Sequence, residues 1–239
     1  MKNKPKYFIP NVITLANMFL GFLAIALIIN GKPLSAGLAV LGAGLLDAFD
    51  GKIARMLGIA SRFGAEFDSM ADTISFCVAP SILIYHLYVD GLHPLLGLII
   101  SFMPLMFGTI RLAKYNVEQR LIEKNNYTFG LTTPIAAITL FSYLYFNDQI
   151  DGSYGDPRTA LLLVATTSIL MISRIHFAKF PLFSFKYGRS NSILLILFII
   201  SILGIMWFWG LFLFPVVLLF IGWNIMYWLL HPQKSNAET

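Results

Sequence analysis

Residues 34–56, LSAGLAVLGAGLLDAFDGKIARM, and residues 65–88, AEFDSMADTISFCVAPSILIYHLY, are two apolar stretches that each contain acidic residues. Each stretch is as long as the roughly 20 residues that a helix needs to cross the hydrocarbon core of a membrane. Because the connection between them is short, we expect two antiparallel neighbouring helices. A carboxylate within such a span costs several kcal/mol and is therefore presumed to serve a function.

The whole chain has the composition of a polytopic membrane protein. Of its 239 residues, 57% are hydrophobic and 12% are charged, and the mean hydropathy is +0.74, whereas about a quarter of the residues of a soluble domain are charged. The net charge of +5 is too small and too dispersed to indicate a nucleic-acid binder. The single cysteine, Cys77, excludes an internal disulfide and a cysteine-based zinc site. We therefore predict an all-α fold of transmembrane helices.

Eight spans are predicted, separated by short breaks that carry turn or charged residues. The last break, 209–211, is the weakest, so residues 191–230 are alternatively a long re-entrant pair. The predicted spans are 8–30, 34–56, 65–88, 94–114, 130–147, 159–178, 191–209 and 211–230.

The lysines and arginines fall almost entirely on one side of these spans. With the N-terminus inside, fifteen of the 17 lie at cytoplasmic ends, and only Lys32 and Arg158 lie outside. Positively charged residues are retained on the cytoplasmic side of a membrane. We therefore predict that both termini are cytoplasmic, and an even number of spans follows from the same partition.

The acidic residues of the second and third spans lie on helix faces that can converge. At about 100° per residue, Asp47 and Asp50 share one face of the second helix, and Asp68 and Asp72 share one face of the third. Four carboxylates at one place repel one another unless a cation lies between them. Oxygen ligands without histidine or thiolate favour Mg²⁺ or Mn²⁺. A pair of such ions could hold a diphosphate.

The residues beside the acids fit this interpretation. Gly51 and Ala54 remove side-chain bulk from the acidic face, and Lys52 and Arg55 supply donors for phosphate oxygens. Two other interpretations are open: an ion or proton pathway of a transporter, and salt bridges from the aspartates to Arg55 and Arg62.

The spacing of these residues resembles the signature of the CDP-alcohol phosphatidyltransferase family. The pattern is Asp47-x2-Asp50-Gly51-x2-Ala54-Arg55-x8-Gly64-x3-Asp68-x3-Asp72, and the chain departs from it at no position. Members of this family are membrane enzymes in which an alcohol displaces CMP from a CDP-linked lipid. The resemblance implies a helical bundle that binds two Mg²⁺ or Mn²⁺ ions and that forms a homodimer.

The resemblance also implies a role for each signature residue. Asp72 would deprotonate the hydroxyl of the acceptor alcohol and lie at the metal site. The metal ligands would be Asp47, Asp50, Asp68 and Asp72, and the CDP moiety would contact Gly51, Ala54, Arg55 and Gly64.

Further segments resemble the phosphatidylserine synthase branch of the family, which implies CDP-diacylglycerol and L-serine as substrates. These segments are 9–17, 68–80, 111–116, 130–137 and 171–174. Residues 1–190 are accordingly interpreted as a catalytic transmembrane domain. Residues 191–239 are interpreted as a transmembrane hairpin with a short cytoplasmic tail.

Polar residues outside the signature give two further candidate sites. Arg111 and Lys114 share a face of the fourth helix and could clamp the serine carboxylate, although the positive-inside rule also explains them. Asn116 could bind substrate or cap the helix end.

Asn11, Thr14 and Asn17 recur every three residues on the first helix. All three are candidates for the nucleotide cavity, with Asn11 and Thr14 assigned to CDP binding, and hydrogen bonding between helices is the alternative for all three.

Two rival functions remain. The first keeps the chemistry with another acceptor: glycerol 3-phosphate, inositol phosphate or choline. The second is an ion transporter that uses the aspartates as its pathway, and it predicts ion flux without any nucleotide lipid.

Overall fold

The computed structural model describes residues 8–56, 61–118, 127–178 and 211–230. Within these ranges the regular secondary structure is helical apart from one short pair of strands, and turns connect the elements. In chain order the elements are α1 Phe8–Ile29, α2 Pro33–Met56, α3 Arg62–Asp72, a π-helical segment Thr73–Val78, α4 Ala79–Leu87, α5 Pro94–Glu118, β1 Tyr127–Phe129, α6 Thr133–Asp151, α7 Pro157–Ile172, β2 His176–Ala178 and α8 Leu213–Leu230.

Four helical stretches of the described chain are long and apolar enough to cross a membrane. They are Pro10–Ile29, Arg62–Leu87, Pro94–Val117 and Leu213–Leu230, and shorter apolar helices occupy Pro33–Phe49 and Pro157–Ile172. The helical membrane architecture is thus confirmed. The count of eight spans stays a prediction, and the predicted span 191–209 lies outside the described residues.

The sixth predicted span, 159–178, ends earlier than expected. Helix α7 stops at Ile172, and Ser173 adopts an extended conformation. The Ser173 hydroxyl donates to the Leu170 carbonyl at 2.9 Å and accepts from the Ile175 amide at 3.4 Å. A serine that bonds locally to the backbone competes with helix continuation, so the chain leaves the helix here.

Residues 176–178 then form β2, which pairs antiparallel with β1. Phe129 lies opposite His176, and Tyr127 lies opposite Ala178. Gly130 follows β1 with a φ of +72°, and a Cβ there would lie 2.9 Å from the Met171 carbonyl carbon. Only glycine fits this close approach to the end of α7, and α6 therefore begins at Thr133 rather than at the predicted residue 130.

Helices α1 and α2 pack against each other along a seam of small residues. Ala24, Ala36 and Ala43 are buried there, and Phe76 of the π-helical segment lies in the same core cluster. Small side chains let helix backbones approach closely, which is how helices associate within a membrane. This seam fixes the acid-bearing part of α2 relative to α1.

The third predicted span is one continuous helical stretch that changes type directly after Asp72. Two glycines of neighbouring helices contact the π-helical segment. A Cβ on Gly21 of α1 would lie 2.7 Å from the Cα of Ser75, and a Cβ on Gly108 of α5 would collide with the Sγ of Cys77. Two glycines thus let α1 and α5 approach this segment. Cys77 is fully buried, as its position inside the third span predicts.

Candidate active site

Three aspartates from α2 and α3 converge at one place. Asp47, Asp68 and Asp72 each offer a carboxylate oxygen, and these oxygens lie within 4.8 Å of one another. The predicted convergence of the two acidic faces is confirmed for these three residues. Asp50, Gly51, Ala54 and Arg55 belong to the end of α2, but their side chains lie outside the described part of the structure.

The donor set of this cluster fits a hard divalent cation. All three ligand atoms are carboxylate oxygens, and Mg²⁺ and Mn²⁺ prefer such oxygen donors over nitrogen or sulfur. Three carboxylates this close also need a positive charge to offset their repulsion. The cluster can therefore hold a metal ion.

Asp72 has the most enclosed position of the three. Its side chain is 8% exposed. The Nδ2 of Asn17, on α1, donates to the Oδ1 of Asp72 at 3.5 Å. On the α5 side, Arg111 interacts electrostatically with the same carboxylate. Asp72 thus accepts from an amide donor on α1 and interacts at longer range with a guanidinium on α5.

Gly64 lies in the first turn of α3 beside α1. The Gly64 amide donates to the Oγ of Ser61 at 3.0 Å, which caps the helix. A Cβ on Gly64 would lie 3.8 Å from the Oδ1 of Asn11. The structure thus brings the predicted nucleotide contacts Gly64 and Asn11 together. Thr14 is buried, and its hydroxyl donates to the Pro10 carbonyl at 3.1 Å.

The three predicted serine contacts occupy different environments. Arg111 is 9% exposed, whereas Lys114 lies on an exposed part of α5. The Nδ2 of Asn116 donates to the Oε2 of Glu66 at 3.2 Å and to the Oγ of Ser69 at 2.9 Å. These contacts join α5 to α3, so Asn116 bridges two helices, and its binding of substrate stays a prediction.

Asn17 is predicted from its spacing on α1 to line the nucleotide cavity or to bond between helices, and the structure shows the second kind of contact, to Asp72. The sequence gives no site role to Glu66 or Ser69. These two residues carry no comparable signal, because polar residues on a helix are ordinarily solvated.

Comparison with known proteins gives a consistent result. The family model described as CDP-alcohol phosphatidyltransferase matches residues 7–179. The chain is similar to the CDP-diacylglycerol–serine O-phosphatidyltransferase of Helicobacter pylori, with 30% identity over 83% of both chains. It is 34% identical to the protein of that name from Bacillus subtilis, over 77% of this chain and 99% of the relative.

An archaetidylserine synthase from Methanothermobacter thermautotrophicus is also 34% identical, over 72% of this chain and 70% of its own length. The match of the family model covers the acidic cluster and both helices that carry it. The chain therefore belongs to the CDP-alcohol phosphatidyltransferase family.

Proposed function

We propose that this protein is a phosphatidylserine synthase, which transfers the phosphatidyl group of CDP-diacylglycerol to L-serine and releases CMP. The observation that carries the proposal is the convergence of Asp47, Asp68 and Asp72 within a chain of this family. The choice of serine is supported by the names of relatives that match most of the chain.

Asp47, Asp68 and Asp50 are the proposed metal ligands, together with one oxygen of Asp72. When bound, a pair of Mg²⁺ or Mn²⁺ ions would neutralise these carboxylates and the diphosphate of the nucleotide lipid. The carboxylate oxygens that would bind the ions come together where α2 approaches α3. Asp47 supplies a ligand from α2, and Asp68 supplies one from α3.

Asp72 is the proposed general base. The serine hydroxyl is a poor nucleophile near neutral pH and needs a base within hydrogen-bond reach. Its oxygen forms a bond to the phosphorus that carries the diacylglycerol, its proton passes to Asp72, and the bond from that phosphorus to the oxygen of CMP breaks. The contact from Asn17 holds the Asp72 carboxylate in a defined orientation for this transfer.

Arg111 is the proposed contact of the serine carboxylate. It is buried beside Asp72, and among the described residues no group accepts a hydrogen bond from its Nε. A guanidinium binds a carboxylate with charge-assisted hydrogen bonds. Lys114 and Asn116 stay proposed contributors: Lys114 at the exposed edge of the site, and Asn116 as the residue that joins α5 to α3.

The CDP moiety is proposed to lie along the start of α3 and the end of α2. Gly64 and Asn11 approach each other there, and the remaining proposed contacts are Thr14, Gly51, Ala54 and Arg55. We further propose that this end of the bundle faces the cytoplasm, in agreement with the charge bias of the sequence, that the chain has eight spans, and that it forms a homodimer.

The proposal is tested by CMP release from membranes that contain the protein and CDP-diacylglycerol. We expect release that depends on L-serine and on Mg²⁺ or Mn²⁺. Glycerol 3-phosphate, inositol phosphate and choline are supplied in parallel, and release with one of these in place of serine would reassign the acceptor. Ion flux in sealed vesicles without nucleotide lipid, and no CMP release with any alcohol, would contradict the family chemistry.

A further inference from the structure

Asn17 has a polar atom that the proposed chemistry does not yet use. This residue has no exposed surface, and its Nδ2 contacts the Oδ1 of Asp72. Within the described ranges no donor reaches the Oδ1 of Asn17. Buried side-chain oxygens are nearly always hydrogen-bonded, so a buried acceptor of this kind directly beside the base indicates a missing donor.

The chemistry of Asp72 decides which atom of the Asn17 amide faces it. An ionised carboxylate only accepts hydrogen bonds, so the NH₂ group must be the end that faces Asp72. The carbonyl oxygen is then the end that has no donor. The orientation of Asn17 is therefore set by its neighbour.

Arg111, on α5, is a buried donor that complements the buried acceptor of Asn17. Its Nε is a buried donor for which the described residues supply no acceptor, and the side chain interacts with the Asp72 carboxylate. Helices α1 and α5 thus place one acceptor and one donor beside the same carboxylate. A small amino acid that bears a hydroxyl carries both complementary groups, an ammonium and a carboxylate.

The position of Asn17 is fixed by the π-helical segment. The Ser75 hydroxyl, fully buried, donates to the backbone carbonyl of Asn17 at 3.0 Å. Gly21, one turn further along α1, allows the close approach of Ser75. The brace acts on the backbone of Asn17 and leaves its amide side chain to face Asp72.

We propose that Asn17 binds the acceptor substrate: its side-chain oxygen accepts a hydrogen bond from the ammonium group of serine, while its NH₂ group contacts Asp72. This inference rests on the proposed function, since it needs an acceptor with an ammonium group. It gives Asn17 two separable effects, one on the KM for serine and one on kcat.

The test compares Asn17→Leu with Asn17→Asp in membranes, with CMP release as the measurement. Asn17→Leu removes both the acceptor and the donor, so the KM for serine should rise at least tenfold and kcat should fall. Asn17→Asp keeps an acceptor oxygen and loses the donor, so kcat should fall while the KM for serine stays within threefold of the wild type. The KM for CDP-diacylglycerol should change less than twofold in both variants.

A competitor without an ammonium group makes the test specific. 3-Hydroxypropionate retains the hydroxyl and carboxylate of serine, so its inhibition constant should be the same for wild type and Asn17→Leu. Asn224→Leu on α8 is the matched control, because it removes another buried amide, whose Nδ2 donates to the Phe220 carbonyl, and it should leave the KM for serine within twofold. If Asn17→Leu is not recovered in membranes, Asn17→Ala replaces it in the same KM measurements, because alanine removes both polar atoms and adds no bulk.

Several outcomes would overturn the inference. They are an unchanged KM for serine in Asn17→Leu, an equal rise in the KM for CDP-diacylglycerol, an equal loss of 3-hydroxypropionate inhibition, or the same KM effect in Asn224→Leu. Wild-type release of CMP with serine separates these results from failure of the proposed function. Wild-type release only with an alcohol that lacks an ammonium group would overturn both.

Discussion

The two ends of the helix bundle use polar side chains in opposite ways. At the acidic end, side chains bond to other side chains across helices, as in the Asn17–Asp72 and Asn116–Glu66 contacts. At the tyrosine end, defined by Tyr88, Tyr143 and Tyr145, each hydroxyl instead donates to a backbone carbonyl of another segment.

This difference indicates that the acidic end serves substrate binding and that the tyrosine end serves stability. The Tyr88 hydroxyl donates to the Tyr154 carbonyl at 2.6 Å, and Tyr143 donates to the Asp156 carbonyl at 3.0 Å. These bonds are complete within the protein. The acidic end contains the buried Nε of Arg111, for which the described chain supplies no partner. Substitutions at the acidic end should therefore change catalysis, and those at the tyrosine end should change stability.

The largest effect is expected at the metal ligands. Asp47→Asn and Asp68→Asn keep the shape of the side chain but remove a charged ligand oxygen, so CMP release should fall by orders of magnitude. EDTA should abolish the activity of the wild type, and Mg²⁺ or Mn²⁺ should restore it. Asp148→Asn on α6 is the control and should retain activity. Full activity in excess EDTA would contradict the metal site.

The next prediction separates Asp72 from the other aspartates. Asp72→Asn should abolish turnover while the metal-dependent binding of CDP-diacylglycerol is largely retained, because a general base acts on the acceptor hydroxyl. Equilibrium binding of the labelled nucleotide lipid, measured beside CMP release, makes the distinction. Loss of binding in proportion to activity would instead make Asp72 chiefly a metal ligand.

Arg111 should affect serine more than the nucleotide lipid. Arg111→Met removes hydrogen bonds to a charged group, which are worth about 1.5–3 kcal/mol, so the KM for serine should rise roughly 10- to 100-fold. Lys114→Met, at an exposed position of α5, should have a smaller effect. Equal effects of the two variants would assign both residues to general positive charge at the helix end.

Gly21 tests how closely α1 must approach the π-helical segment. In Gly21→Ala the new Cβ would lie 2.7 Å from the backbone Cα of Ser75, and such overpacking costs about 1–3 kcal/mol. A lower Tm and reduced activity are expected together. Gly222→Ala on α8 is the control, since nothing lies within 4 Å of its Cβ position. Equal Tm values for the two variants would contradict the tight contact.

The smallest effect is expected at the tyrosine end. Tyr88→Phe removes one hydrogen bond, worth about 1 kcal/mol, and should lower the Tm without changing the KM for serine. A rise in the KM for serine in Tyr88→Phe, or a Tm equal to that of the wild type, would contradict this assignment.

The helical period was sufficient to predict the acidic cluster. Asp68 and Asp72 are separated by one turn of a single helix, so their common face follows from spacing alone. The length of the apolar stretches likewise predicted the helical membrane architecture.

Packing between distant segments could not be predicted in this way. Arg111 and Lys114 have the expected spacing, but only tertiary contacts decide that Arg111 is buried and Lys114 is exposed. The β1–β2 pair joins residues 127–129 to residues 176–178, and three-residue strands leave no periodic pattern. The Asn17–Asp72 contact similarly joins residues that lie 55 positions apart.

The length of the π-helical segment sets how α4 is rotated relative to the aspartates of α3. A π-helix bonds residue i to residue i+5, so it carries more residues per turn than the surrounding α-helix, and every residue after it is rotated by about 100° per extra residue. Helix α4 can therefore keep Ala79 and Leu83 in the core while Asp68 and Asp72 keep their own phase. Deleting one residue within 73–78 would rotate α4 relative to α3. Asp68 and Asp72 could then not face the metal site while Ala79 and Leu83 stay in the core.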